Sequence, residues 1–206
     1  MLQAIFMKLS LIFNLILIFS LAAFGQENSK TQAKVLGVTI SLPYINSYRY
    51  YDYGKNNERI KSGFGGIGLA CFYKTGKNKI SLNYGVTADL PAPLGPIDFG
   101  HEGTRSQISA GFIDIIYHHN LLKGLNVVAG FNVVKYKYKF ISYVDTIPWY
   151  NRHDNTPGLS IGAEYIFKKS FSIAAFYRPA IISFDTKQYL HLLSLDFRFD
   201  VNIWRR

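Results

Sequence analysis

Long runs of strict two-residue alternation constrain this chain more than any other feature. In KISLNYGVTADL (79–90), Ile80, Leu82, Tyr84, Val86, Ala88 and Leu90 fall on one face, and Ser81, Asn83, Gly85, Thr87 and Asp89 on the other. Side chains alternate across a strand but recur every ~3.6 residues on a helix, so this spacing predicts a β-strand. The pattern returns in 159–167, where Leu159, Ile161, Ala163, Tyr165 and Phe167 oppose Ser160, Gly162, Glu164 and Ile166. It returns again in 193–203, 125–133 and 171–177, and less cleanly in 35–44, 63–73 and 106–117. The period of 186–195 also suits a helix, and the strand reading is preferred there. The sum is an all-β chain of eight strands of about ten residues each.

The predicted connections alternate between long and short. The long ones are 45–62, 91–104 and 141–157, with a modest loop near 184–188; the short ones lie at 75–78, 120–124 and 168–170. Long and short loops therefore collect at opposite ends of one up-and-down sheet. Outer-membrane barrels are built this way, with short periplasmic turns and long external loops.

The N-terminal segment reads as an export signal. Leu9–Phe24 is almost wholly apolar, follows Lys8 and gives way abruptly to polar Gln26-Glu27-Asn28. Ala23-Phe24-Gly25 fits a small-x-small cleavage site. The expected organisation is a signal peptide over 1–25, a periplasmic lead-in over 26–33 and a barrel domain over 34–206, with Met7 a plausible alternative start. The apolar run, broken by Asn14, is short of the ~20 residues of a spanning helix.

Alternation alone does not say whether the apolar face lines a core or meets lipid. A secreted lipocalin-like barrel also has eight strands. The polar face discriminates. On a soluble barrel it would carry roughly 25–35% charged residues, yet here it is mostly Ser, Thr, Asn and Gly. Charged residues make up only 17% of the chain, against ~25% in ordinary globular proteins. The lysines after the signal fall in the lead-in, in loops, in turns or at strand ends, Lys79 among them, and none is expected at mid-strand. A lipid-facing Lys or Arg at the midplane costs about 2–4 kcal/mol. Small residues such as Gly66, Gly68, Ala70, Gly85, Gly130 and Gly162 suit a cramped interior. Tyr73, Tyr84, Tyr117, Tyr165, Phe167, Phe171 and Trp204 fall largely near strand ends, where aromatic girdles form. The apolar face is therefore expected to meet lipid.

The export signal, the eight alternating segments and the closing strand LSLDFRFDVNIW (193–204) resemble small outer-membrane β-barrel proteins of the OmpA/OmpX-like superfamily. The Gly25-Gln26 junction and the tyrosine-rich loops resemble its Bacteroidetes branch. The resemblance spans about residues 34–204 and is one of pattern, with no diagnostic motif. It implies an eight-stranded antiparallel up-and-down transmembrane β-barrel in the bacterial outer membrane, inserted by the outer-membrane assembly machinery. One departure is that Trp204 is followed by Arg205-Arg206, where such chains usually finish on an aromatic.

The ionisable residues expected to face inward are Asp89, Asp114, Glu164, Arg178, Asp196, Arg198 and Asp200. An eight-stranded interior is only wide enough for its own side chains, and buried charges must pair. The expectation is a lumen charge network of Glu164, Arg178, Asp196, Arg198 and Asp200. Counting about the turn at Lys169 places Glu164 opposite Ala174. Counting about Thr186 places Ala174 opposite Arg198, so Glu164 and Arg198 should meet over a small alanine. Lys135, Lys137 and Lys139 interleave with Tyr136, Tyr138 and Phe140 and are candidate contacts for lipopolysaccharide phosphates.

No catalytic or cofactor-binding constellation stands out. His101-Glu102 and His153-Asp154 are expected in external loops, without a serine at a spacing that would complete a nucleophilic triad. His118 and His119 should point to opposite faces and so not share a metal. The glycines of Gly63–Gly68 precede no helix, so no phosphate loop is expected. The net charge of +10 is read as membrane-related, with no nucleic-acid partner. Two function classes follow. One is a structural or interaction protein working through external loops, including the tyrosine-rich Tyr44–Tyr53, with lipopolysaccharide or an envelope protein as partner. The other is a narrow porin-like channel.

Overall fold

A computed structural model describes residues 33–52, 57–90, 104–142, 150–168, 170–182 and 189–206. The predicted signal peptide and all but Ala33 of the lead-in lie outside the described residues. The remainder forms eight strands: β1 (Lys34–Asp52), β2 (Asn57–Thr75), β3 (Asn78–Leu90), β4 (Thr104–Leu122), β5 (Leu125–Ser142), β6 (Tyr150–Lys168), β7 (Phe171–Pro179) and β8 (His191–Arg205). Each pairs antiparallel with its chain neighbours, and β8 pairs with β1 to close the barrel.

The faces follow the sequence pattern. Leu82, Tyr84 and Val86 of β3 are exposed outward, while Ser81, Asn83 and Thr87 are buried inside. The outward face is densely apolar on every strand. Ile67 and Leu69 on β2, Ile113 and Ile115 on β4, Ile161 on β6 and Phe199 and Val201 on β8 are all exposed. A closed sheet with this exterior satisfies its backbone hydrogen bonds internally and presents an apolar belt, as a transmembrane barrel must. On β5 the belt runs from Leu125 to Val133. At ~3.3 Å per residue and a tilt near 40° that is roughly 20 Å of height, close to the apolar band of membrane barrels.

The strands are longer than the alternation suggested, because the alternation inverts above the belt. Up to Val133, β5 turns Val127, Ala129 and Val133 outward and Asn126, Val128 and Asn132 inward. Beyond it, Lys135, Lys137 and Lys139 are outward and Val134, Tyr136 and Tyr138 are buried inside. Water replaces lipid outside the wall, so the polar side chains change faces. In β1 a register shift between Pro43 and Ile45 accompanies the change, after which Asn46, Tyr48 and Tyr50 face in.

Two expected loops are therefore mostly strand. Residues 45–52 and 57–62 pair with each other up to Asp52 opposite Asn57. Residues 150–157 pair with β5. Lys61, Lys135, Lys137 and Lys139 consequently sit inside strands, which corrects the reading that lysines avoid them. The rule holds for the apolar belt, not for the strand. The segment expected around 186–195 is strand from His191 onward.

Two glycines meet specific backbone demands. Gly65 has a φ of 92° at the register shift between Phe64 and Gly66, a left-handed conformation that favours glycine. A Cβ on Gly85 would strike the ring of Phe112 across the β3–β4 pair, so its hydrogen lets that ring enter the lumen.

Candidate functional site

The lumen is filled in two layers. The lower layer, toward the short turns, is a charge network centred on Glu164, which is fully buried. Its Oε1 accepts from Arg198 Nη1 at 3.2 Å and from Ser172 Oγ at 3.0 Å. Its Oε2 accepts from Asn126 Nδ2 at 3.0 Å and lies 3.0 Å from His118 Nδ1. A carboxylate has no proton to give, so the His118 proton sits on Nδ1, leaving Nε2 to take the Ser81 hydroxyl 2.9 Å away. Lys79 Nζ stands 3.7 Å from Glu164 and 2.9 Å from Asp200 Oδ2. Thr39 donates to the other Asp200 oxygen at 2.6 Å. Arg198 also donates to Asn83 Oδ1 at 3.2 Å.

The register explains how Glu164 and Arg198 come together. Glu164 pairs with Ala174 across β6–β7. Across β7–β8, however, Ala174 faces Asp196, and Arg198 faces Ser172. The expected Ala174–Arg198 pairing is thus wrong by two residues, because the β7–β8 connection centres one residue earlier than Thr186. Arg198 reaches Glu164 diagonally, and Ser172 between them joins the network.

A second ion pair stands above the first layer. Arg178 donates through Nε and Nη2 to Asp114 Oδ2 at 3.0 and 2.9 Å, and through Nη1 to Ser194 at 2.9 Å. Its guanidinium lies 4.0 Å from the Phe112 ring centroid and 4.7 Å from that of Phe176. Asp196 is buried beside these groups without an ion pair among the described residues, and its Oδ1 has no hydrogen-bond partner. The upper layer is apolar and aromatic. Tyr48, Tyr50, Ile108, Val134, Tyr136, Tyr138, Leu190 and Leu192 pack into one buried cluster. Tyr48 and Tyr50 therefore plug the barrel and are not an external binding loop, which corrects the reading of Tyr44–Tyr53.

The expected charge residues fall into separate groups. Glu164, Arg198 and Asp200 share the lower network, and Arg178 is paired with Asp114 instead. Sequence reasoning passed over Lys79 and His118. Both have inward parity, Lys79 with Ser81 and Asn83, and His118 with Asp114 and Ile116. The position of Lys79 near a turn hid its role.

Other candidates separate. His118 is buried while His119 faces out. His153 is exposed and Asp154 buried, on opposite faces of β6, so they form no dyad. His101-Glu102 and Asp89 lie outside the residues whose side chains are described. Among the described residues, no group of three or more His, Cys, Asp or Glu side chains could hold a metal ion. Lys135, Lys137 and Lys139 form one outward row on β5, starting two residues beyond Val133 at the top of the belt.

A closed eight-stranded wall, an apolar exterior and a lumen packed with its own side chains define a small transmembrane β-barrel of the outer-membrane type. No family model matches the sequence, and no curated protein matches it. Solved structures do match the fold. Ail, the attachment invasion locus protein of Yersinia pestis, is similar at 10% identity with a TM-score of 0.57, covering 84% of this chain and 100% of that one. Ail in complex with the heparin analogue sucrose octasulfate gives 11% and 0.54 over the same 84% and 100%. Neisserial surface protein A gives 12% and 0.50, over 81% of this chain and 97% of that one. At these identities the likeness is one of fold.

Proposed function

We propose that this chain is a non-catalytic, non-conducting barrel of the bacterial outer membrane that works as a structural or interaction protein through its outer end. The observation that carries this reading is the doubly filled lumen. With charged and aromatic layers occupying the interior, the surface above the membrane is where a partner can be met. Binding residues commonly sit on connecting segments held by a rigid scaffold, and β3 joins β4, and β5 joins β6, at this end.

Lipopolysaccharide is the partner whose chemistry fits best. Lys135 stands at the upper edge of the apolar belt, where lipid phosphates lie, and Lys137 and Lys139 continue the row over about 13 Å at ~3.3 Å per residue. A barrel of the same fold, Ail, is known in complex with a sulfated polyanion. An envelope protein is a further possible partner, and assembly would use the outer-membrane insertion machinery. A narrow solute channel is the alternative, and both filled layers weigh against it.

The test has two parts. The mature chain should fractionate with the outer membrane and migrate differently on gels when unboiled. Lys135→Gln/Lys137→Gln/Lys139→Gln should keep that behaviour but bind lipopolysaccharide about tenfold or more weakly, since a cation near an anionic surface contributes ~1 kcal/mol. Recovery in the soluble periplasm would refute the membrane assignment. Unchanged lipopolysaccharide binding would refute the lysine row.

A further inference from the structure

At the short-turn end, the β8–β1 seam places two cations face to face. Lys34 and Arg206 exchange both backbone hydrogen bonds, each N–H···O at 2.9 Å. Residues paired in this way have Cα atoms about 5.5 Å apart with side chains on the same face. That face is the lipid side, because the next pair on the same face, Leu36 opposite Trp204, is exposed among lipid-facing residues. Both Lys34 and Arg206 are exposed.

Like charges directly opposite each other destabilise a strand pair. Lys74 and Lys79 also stand opposite each other, both on the lumen side of the wall, and there Asp200 Oδ2 lies 2.9 Å from Lys79 Nζ. No such partner serves Lys34 and Arg206 among the described residues. Asp200, the carboxylate nearest on β8, faces inward and is taken by Lys79 and Thr39. Lys74 and Arg205 flank Val35 from either side at the same rim, on the lumen side of the wall, and so leave the lipid-facing pair to Lys34 and Arg206.

The depth of the seam identifies the anion. Tyrosine and tryptophan settle at the membrane–water interface, and Trp204 and Tyr73 are the last outward aromatics of β8 and β2. Each is followed at once by a cation, Arg205 and Lys74, and Phe167 on β6 is likewise followed by Lys168. One or two residues past the girdle, at ~3.3 Å each, is the level of lipid phosphates.

We propose that Lys34 and Arg206, just beyond Trp204 at the short-turn end of the β8–β1 seam, form a binding site for the phosphate of an anionic phospholipid in the leaflet facing the short turns. The lipid headgroup relieves the repulsion across the closing seam of the barrel. The site is separate from the Lys135–Lys139 row, which faces the opposite leaflet.

Trp204 is a built-in reporter. The chain has two tryptophans, so Trp149→Phe leaves Trp204 alone. The refolded full barrel is placed in phosphatidylcholine vesicles containing either brominated phosphatidylcholine or brominated phosphatidylglycerol, and quenching of Trp204 fluorescence is followed against mole fraction. Quenching by either lipid establishes that the barrel is embedded, and the difference between them tests the site. Phosphatidylglycerol should be preferred by roughly fivefold per engaged cation. The preference should collapse in Lys34→Gln/Arg206→Gln and in 1 M salt, where screening falls to ~3 Å. It should persist in Lys123→Gln/Lys168→Gln, at the rim away from the seam. Equal quenching by the two lipids in the parent protein overturns the proposal, as does an equal loss in both double variants with the gel shift retained.

Discussion

Removing Arg178 should destabilise the barrel far more than removing Arg178 together with its partner. The guanidinium and the Asp114 carboxylate are 1% and 0% exposed and joined at 2.9 Å. Arg178→Met keeps an apolar stem between Phe112 and Phe176 but strands Asp114 as a buried carboxylate. Breaking a buried pair from one side costs about 3–5 kcal/mol. The two ring contacts add about 2 kcal/mol each when desolvated. Arg178→Met/Asp114→Leu removes both charges, and replacing a buried pair by apolar groups is often neutral or better. The double variant should therefore cost about 0–2 kcal/mol, with a coupling of at least ~2 kcal/mol in the cycle. Urea titration of the barrel refolded in vesicles, read by tryptophan fluorescence and by gel shift, measures all four corners. A double variant as unstable as the single one would show that the charges do not depend on each other, and the account of the lumen would fail.

Two further substitutions test the wall. Val86→Arg places a charge in the lipid belt and should cost about 2–4 kcal/mol, while Val86→Ala should cost far less; equal tolerance in refolding titrations would mean the faces are inverted. Gly85→Ala should cost about 1–3 kcal/mol by overpacking against Phe112, and Phe112→Leu in that background should recover part of it; an unaffected Gly85→Ala would remove the close-approach argument.

The membrane-embedded half of this fold is legible in the residues because lipid enforces one rule there, apolar out and polar in. Ile80 to Val86 with Ser81 to Thr87 follow it without exception, and so does the pairing of Glu164 with Ala174 across a tight turn. Above the belt the rule reverses, and a search for apolar-outward alternation stops at Val133 on β5 although the strand continues to Ser142. Tyr48 and Tyr50 looked like loop tyrosines for the same reason. The Arg198 register was lost by two residues because the β7–β8 connection is long, and a long connection fixes no centre. The partners of Glu164 were half legible: Arg198 could be counted toward it, whereas Lys79 and His118 reach it across the lumen from β3 and β4, which strand-by-strand reading does not connect.

The central claim is that the lumen is closed by its own side chains. Single-channel recording of the wild-type barrel in planar bilayers tests it most directly. Insertion is expected, verified by the gel shift of the recovered protein, with no steady conductance step above the baseline. A stable, reproducible open step from the wild-type protein would contradict the filled lumen and favour the channel reading.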